Sequence, residues 1–470
     1  NTAVGHIAGF AVTSGIYNTL IGGAAGDSLT DADYNVAVGV NTLGADTLGS
    51  RSTAVGYNSL ATQNMTTATN AYNVAMGYDA GGDITTGIQN TLLGSLCGNN
   101  LDDADFNVAI GVSALASDHK GSNSVAVGYQ TLNAQNFTTA TQSYNVAVGY
   151  QAGHDVTTGI QNTLVGGLAG QKLAGVSFNT AVGMSSLQAD TGGQYSVAVG
   201  YQALMNQNFT TVGSSSNNVG IGNKAGKSIT TGFRNTFVGS EAGDALTDAD
   251  YNTALGQQAL TTDTMGSRAT AVGYAALQSQ NFSTAQNNNN TAVGFQSGLD
   301  VTTGLQNTLI GSLTGTNLTD ADNNTVVGYN ALATDTLGSR TTVIGYGALA
   351  NQNFTTATNS NNTAVGYAAG NAITTGTHNV CIGANAGDEM TTGAGNTIVG
   401  TAAVGTGIVT GDENTAVGRN AGLNLTSGSN NLLLGHDAGQ TGSPGGNINT
   451  ENNEIVLGDE NISEAHIQVS

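Results

Sequence analysis

Recurring pairs of aspartates are the residues whose type and spacing could do chemistry. Two aspartates separated by one residue occur at Asp31/Asp33, Asp103/Asp105, Asp248/Asp250 and Asp320/Asp322, and Gly175 and Ser177 stand at the same place in one further copy. Carboxylate oxygens in a turn are ligands that Ca²⁺ prefers. Asp is also a common turn residue, because its side chain accepts hydrogen bonds from nearby backbone N–H groups. The turn interpretation is favoured, and Ca²⁺ is the only cofactor that these residues suggest.

A second motif, close to "QNFTT", recurs about every 72 residues, in a segment four residues longer than its neighbours. Its apolar residue is Met65, Phe137, Phe209, Phe282 or Phe354. One interpretation is a ridge of side chains that contacts a host glycan or a neighbouring fibre. The favoured alternative is that this residue closes the core or a seam between protomers, because an apolar residue at a fixed position is usually buried.

Catalysis is not predicted. Enzymes that cleave polysaccharides use paired carboxylates, but they surround them with aromatic platforms, and this chain has no Trp. The histidines do not recur, and none stands in the spacing of a metal site or a catalytic triad: His6, His119, His154, His378, His436 and His466. No catalytic residue is therefore assigned, and the two cysteines, Cys97 and Cys381, are interpreted as small core residues.

The elements that position these residues follow from a short repeat. It begins as "NTAVG" at Asn1 and ends as "EIVLG" at Gly458, and its closing glycines follow a 17, 17, 17, 21 spacing up to Gly366, with one extra residue before Gly222. Alternation of Thr or Val, a small residue, and Val, Ile or Leu is typical of a strand. Seventeen residues cannot bury a core alone, but stacked coils can. The sequence predicts an all-β fold, a parallel β-solenoid or β-roll of about 26 coils with a 72-residue super-repeat.

Three details of the coil are predicted. The leading Asn should form a hydrogen-bonded ladder along the stack, although five coils of one type carry Ser, Thr or Ala there and should differ at their edge. The Val, Ile or Leu before each Gly should fill a narrow core, and the Gly should allow a turn or a close approach of backbones. Residues 1–435 are predicted to form the solenoid, and residues 436–470 a longer terminal coil and an exit segment.

Composition excludes several classes of partner. The chain has 31 acidic and 9 basic residues, a net charge of −22. Nucleic-acid binding requires clustered Lys and Arg, so it is not predicted. No run of 18 apolar residues occurs, so membrane insertion is not predicted either. Deleting one 72-residue period is expected to shorten the stack by about 19 Å and leave it folded.

The repeat resembles a known family. "NTAVG" repeats are similar to the shaft repeats of bacteriophage tail fibres, particularly of phages that infect marine bacteria and cyanobacteria. Asn452 to Ile462, "NNEIVLGDENI", resembles the stretch that joins such repeats to a self-cleaving intramolecular chaperone, whose catalytic residues are not in this sequence. The resemblance implies a rigid homotrimeric shaft in the virion. Its partners would be other tail-fibre or baseplate proteins and a glycan or protein on the host cell surface.

Two alternatives stay open. The repeats are also similar to the head repeats of trimeric autotransporter adhesins, which are homotrimeric left-handed β-rolls. That resemblance implies a bacterial cell-surface protein whose coils bind a host or matrix ligand, although the coils here are longer than the usual adhesin repeat. The third interpretation is a monomeric binding module.

Overall fold

A computed structural model describes residues 1–464 and 466 of the chain. Every regular element in these residues is a β-strand, and the strands build coils that stack in parallel, so the predicted β-solenoid is confirmed. The chain divides into two compact units, residues 1–235 and 236–470. Part of the predicted exit segment lies outside the described residues.

The first compact unit has three-residue strands and, between some of them, two-residue strands. Its strands are β1 (Thr2–Val4), β2 (Thr19–Ile21), β3 (Val36–Val38), β4 (Gly49–Ser50), β5 (Thr53–Val55), β6 (Thr69–Asn70), β7 (Val74–Met76), β8 (Thr91–Leu93), β9 (Val108–Ile110), β10 (Gly121–Ser122), β11 (Val125–Val127), β12 (Thr141–Gln142), β13 (Val146–Val148), β14 (Thr163–Val165), β15 (Thr180–Val182), β16 (Gly193–Gln194), β17 (Val197–Val199), β18 (Ser214–Ser215) and β19 (Val219–Ile221).

The second compact unit repeats this arrangement. Its strands within the described residues are β20 (Thr236–Val238), β21 (Thr253–Leu255), β22 (Gly266–Ser267), β23 (Thr270–Val272), β24 (Gln286–Asn287), β25 (Thr291–Val293), β26 (Thr308–Ile310), β27 (Thr325–Val327), β28 (Gly338–Ser339), β29 (Thr342–Ile344), β30 (Thr358–Asn359), β31 (Thr363–Val365), β32 (Val380–Ile382), β33 (Thr397–Val399), β34 (Thr415–Val417), β35 (Leu432–Leu434) and β36 (Ile455–Leu457).

Within each unit, every three-residue strand pairs in parallel and in register with the next one, as Ala37 does with Ala54. The two-residue strands pair only with each other, once per super-repeat, and flank the longer segment. At the C-terminal end β36 pairs with β35 across a 23-residue step, since Leu432 is opposite Ile455. Residues 436–458 therefore form a longer terminal coil.

The residue that points into the core is the second of each strand, not the third. Ala37, Ala54 and Ala75 are buried, whereas Met76, a third residue, is 51% exposed. The prediction that Val, Ile or Leu before the Gly fills the core was wrong. The physical reason is that the leading Asn determines which residues of the strand point inward. Because that side chain is buried, strand alternation also turns the second strand residue inward and the first and third outward.

In many coils the core volume is balanced between two positions. Where the second strand residue is large, as Leu92, the residue six positions later is Gly98, and a Cβ there would lie 2.8 Å from the Leu92 side chain. Where the second residue is Ala109, the same later position carries the buried Leu115. A Leu at the first of these positions therefore leaves no space for a side chain at the second.

The Gly that closes each repeat is required by both of the predicted reasons. Gly39 has a φ of +142°, where side chains are unfavourable, and a Cβ on it would lie 2.2 Å from the carbonyl oxygen of Gly56 in the next coil. The coils can therefore approach closely only if this position lacks a side chain.

The leading Asn joins neighbouring coils by hydrogen bonds, as predicted, and it is also buried, which the sequence did not indicate. Asn35 donates from Nδ2 to the carbonyl of Gly49, at 2.8 Å, and its Oδ1 accepts from the backbone N–H of Ser52, also at 2.8 Å. Most of these bonds join the amide to backbone groups rather than to the next Asn. A side chain that both donates and accepts is needed here, because each coil leaves one buried carbonyl and one buried N–H unpaired.

Candidate functional site

The second Asp of each pair forms a hydrogen bond with a neighbouring coil. Asp33, Asp105 and Asp322 each accept a hydrogen bond from the backbone N–H of the preceding coil, at 2.7–2.8 Å. The N–H of Asp250 donates to the hydroxyl of Ser267 in the following coil, at 2.9 Å. These residues are half-buried, and the first Asp of each pair, Asp31, Asp103, Asp248 or Asp320, is exposed.

The copy without aspartates makes the same bond with a hydroxyl. Ser177 Oγ accepts from the N–H of Ile160 at 3.0 Å, where the other copies use a carboxylate. This exchange favours the turn interpretation, since a metal site would lose its ligand with the carboxylate. Ca²⁺ at the pairs stays a prediction. Burial raises the pKa of Asp105, and although the Ile88 N–H lowers it, the charge of Asp103 adds to the rise.

The apolar residue of the "QNFTT" motif faces inward. Met65, Phe137, Phe282 and Phe354 are buried, and Phe209 is half-buried. These rings and the Met side chain are therefore not displayed as a ridge, which favours the interpretation that they close the core. The residues that follow them, such as Thr138 and Thr139, are exposed.

A buried polar layer lies beside this motif and was not predicted. Asp118 Oδ1 accepts from the backbone N–H groups of Gly121, at 3.1 Å, and Phe137, at 2.9 Å. Its Oδ2 accepts from Gln135 Nε2 at 2.6 Å, and Gln135 Oε1 accepts from Asn145 Nδ2 at 2.9 Å. Asp118, Gln135 and Asn145 are all fully buried. We refer to such a set as a polar layer.

The polar layer occurs once in each super-repeat. Its Asp and Gln are Asp46 and Gln63, Asp118 and Gln135, Asp190 and Gln207, Asp263 and Gln280, and Asp335 and Gln352. Burial raises the pKa of both Asp46 and Asp118, and their hydrogen bonds with Gln and backbone donors oppose that rise. The spacing between Asp and Gln is 17 residues, one coil, so a signal for the layer was present in the sequence.

The polar layer also explains the coils that lack the leading Asn. Ser124 replaces it in one of them, and Gln135 Nε2 donates to the Ser124 hydroxyl at 2.9 Å. Gln fills the space that a longer Asn side chain would take. These coils were predicted to differ at their edge, but the structure shows the difference in their interior.

Exposed apolar side chains recur along the coils. We define the outer face as the first and third residues of the strands together with the residue after the closing Gly. The flanking column is the residue before the leading Asn or before the residue that replaces this Asn. On the outer face Tyr57, Met76 and Tyr78 are 50–55% exposed. Among the described residues, the strongly exposed large apolar side chains lie on the outer face or in the flanking column with few exceptions: Ile7, Phe10, Ile16 and Val212 in the first unit, and Ile408 and Ile462 in the second.

Aromatic rings on these columns stack from coil to coil. Tyr57 and Tyr78 have ring centroids 5.5 Å apart, and Tyr329, Tyr346 and Tyr367 form a run of three with separations of 5.4 and 5.3 Å. In the flanking column, the Arg51 guanidinium lies 5.0 Å from the ring of Tyr34. Stacked rings present a rigid, half-exposed surface, which is typical of contact sites.

The histidines and the cysteines lie in different environments. His119 lies 3.4 Å from Asp102, and His154 lies 2.6 Å from Asp155. His436 belongs to a group of three potential metal ligands with Asp437 and Asp459, which was not predicted from the sequence. The 23-residue terminal coil separates His436 from Asp459, so the sequence does not show them as one motif. Cys97 and Cys381 are buried, as predicted, and burial raises the pKa of each thiol to about 12.

Comparisons with known proteins add no identity. No family model matches the chain, and no curated protein matches it. Within the described residues, no helix has the length and apolar character needed to cross a membrane.

Proposed function

We propose that this chain is a structural protein, the shaft of a bacteriophage tail fibre, which assembles as a homotrimer through its outer face. The outer face is the observation that supports the proposal. An exposed apolar surface that recurs coil after coil exceeds what single soluble chains usually leave uncovered. A copy of the same chain has matching columns at matching spacing, so it can cover this surface along many coils.

The polar layers support a mechanical role. Each places a buried carboxylate and a buried amide at fixed positions, one coil apart, and every hydrogen-bonding atom of the Asp118 set has a partner. Such a layer penalises any shift of one coil against the next, because a shifted coil would leave charges and amides unpaired in the core. A shaft that holds a host-binding tip away from the virion needs that resistance to slippage.

Tyrosine fluorescence tests the proposed role of the outer face. The chain has no Trp and 15 Tyr: six precede a leading Asn or, for Tyr195, the Ser in its place, and nine follow a closing Gly, on the outer face. Acrylamide should therefore quench the emission of the folded protein weakly if a second and third copy cover these rings. Quenching close to that of the urea-unfolded chain would contradict the proposal, since rings such as Tyr367, 58% exposed in one chain, would then be uncovered.

The second candidate function is a bacterial trimeric surface adhesin whose coils bind a host or matrix ligand. It is favoured by the groove that lies beside Asp103 and Asp105 and is bordered by Thr66, Thr67 and Thr141. Sequencing the gene beyond the codon for Ser470 separates the two. A self-cleaving chaperone domain would support the tail fibre, and a coiled-coil stalk with membrane-anchoring strands would support the adhesin.

A further inference from the structure

Three potential metal ligands meet in the terminal coil. His436 and Asp437 follow the Gly that closes one repeat, and Asp459 follows the Gly that closes the next. His436 Nδ1 lies 3.2 Å from Asp437 Oδ2 and 3.3 Å from Asp459 Oδ2, and the three ligand atoms all lie within 4.8 Å of one another. No other group of three such residues occurs in the part of the chain that the structure describes.

Amide groups hold both carboxylates in place. Asp437 Oδ1 accepts from Asn420 Nδ2 at 2.8 Å and from Gln440 Nε2 at 3.0 Å, which leaves Oδ2 towards His436. Asp459 accepts from the Asn461 backbone N–H at 2.9 Å and from its Nδ2 at 3.1 Å. Such outer hydrogen bonds orient the ligands of metal sites and raise their affinity.

We propose that His436 Nδ1, Asp437 Oδ2 and Asp459 Oδ2 bind a divalent transition-metal ion of the Zn²⁺ class. An imidazole ligand favours Zn²⁺, Ni²⁺ or Cu²⁺ over Ca²⁺ and Mg²⁺, which take oxygen ligands. Around a tetrahedral ion with bonds of about 2.0–2.1 Å, neighbouring ligand atoms lie about 3.3 Å apart, as the two His–Asp distances do. Water fills the fourth position. The ion fastens the terminal coil to the coil before it, independently of the proposed shaft function.

Arg419 competes with the ion. Its Nη2 lies 2.5 Å from His436 Nε2, and because Arg only donates hydrogen bonds, Nε2 accepts and Nδ1 carries the proton. When a metal ion binds Nδ1, that proton leaves Nδ1 and Nε2 becomes protonated, so the imidazole stays neutral. Arg419, which is on the surface, then turns away. Replacing Arg419 with Gln should tighten binding about tenfold, because the hydrogen bond from Arg419 to Nε2 then no longer has to break when the ion binds.

Calorimetric titration of the full chain with Zn²⁺, and with Co²⁺ read by its visible absorption, tests the site. We expect one ion per chain, binding weakened more than tenfold in His436→Gln and in Asp459→Asn, and tighter binding in Arg419→Gln. His154→Gln is the matched control, because His154 has one carboxylate neighbour, and its affinity should equal that of the wild type. No binding, or equal losses in the His436 and His154 variants, would overturn the proposal. Circular dichroism of each variant checks that it is folded.

Discussion

At the residue scale, the stability of the polar layer depends on which of its atoms donate hydrogen bonds and which accept them. All partners of Asp118 are donors: two backbone N–H groups and Gln135 Nε2. An ionised carboxylate suits that environment, although burial raises its pKa. Hydrogen bonds to buried charged groups are among the stronger ones in proteins. Burial of the Asp118 carboxylate is therefore unfavourable by itself, and the three hydrogen bonds of the layer offset that cost.

Asp118→Asn should destabilise the protein by about 1–3 kcal/mol, because the new Nδ2 faces Gln135 Nε2 and two donors meet without an acceptor. The double variant Asp118→Asn/Gln135→Glu should recover most of the loss. In that variant the new amide at position 118 would donate to the new carboxylate at position 135, which still accepts from Asn145. Thermal unfolding by circular dichroism measures both.

Asp103→Asn is the control for this pair, because that carboxylate is exposed, and its effect should stay within about 0.5 kcal/mol. A double variant no more stable than Asp118→Asn would show that the hydrogen-bond pattern does not set the stability of the layer.

The pKa of Asp118 gives the sign of a pH effect. Because the folded pKa lies above 3.8, the folded state holds more protons than the unfolded state between the two values. The wild type therefore gains stability as the pH falls through this window, and Asn in place of Asp cannot. The destabilisation caused by Asp118→Asn should be larger at pH 4 than at pH 7, as measured by the difference in unfolding temperature. A difference that shrinks on acidification would contradict the raised pKa.

Sequence reasoning reached the Asn and the Gly of each repeat, because both recur in nearly every coil and each has a defined backbone role. It missed Asp118 and Gln135, since each appears in one coil of four and their partnership becomes visible only when coils are stacked. His436 and Asp459 were missed for the same reason, as the longest coil separates them.

At the element scale, the super-repeat consists of four different coils. The same interior position carries Ile84, Leu101, Asp118 and Gln135 in successive coils, so two coils with an apolar residue there are followed by the two that form a polar layer. Strand positions and parallel stacking followed from the spacing of the glycines. The face that each strand turns inward did not, because Val and Ala alternate and either could have formed the core; the buried Asn decides between them.

Two deletions in the first compact unit compare the loss of a whole 72-residue period with the loss of a single coil. Removing residues 78–149, one whole period, keeps the order of the four coil types, and the unfolding temperature should change by only a few degrees. Removing residues 112–128, one coil, takes away Asp118 and leaves Gln135 Nε2 and the Phe137 N–H without their acceptor, at a cost of about 1–3 kcal/mol for each. Thermal unfolding compares them, and equal stability of the two products would refute the role of the four-coil order.

At the scale of the whole molecule, the net charge and the outer face have opposite effects on the association of chains. A net charge of −22 keeps separate chains apart and soluble, whereas exposed columns of Val, Ile and Tyr favour association. The acidic side chains contribute little to the outer face, whose columns are mostly Thr, Val, Ile, Leu and Tyr. Association through that face therefore buries apolar surface without burying much charge. The resemblance to tail-fibre repeats predicts a trimer, and the outer face is the surface through which we propose that it assembles.

The most direct test of the proposed shaft is the mass of the intact chain in solution, measured by sedimentation equilibrium over a range of protein concentrations at physiological salt. The proposal predicts a single species of three times 46.8 kDa that persists on dilution. A species of 46.8 kDa at every concentration would contradict it, because the outer face would then remain uncovered in the native protein.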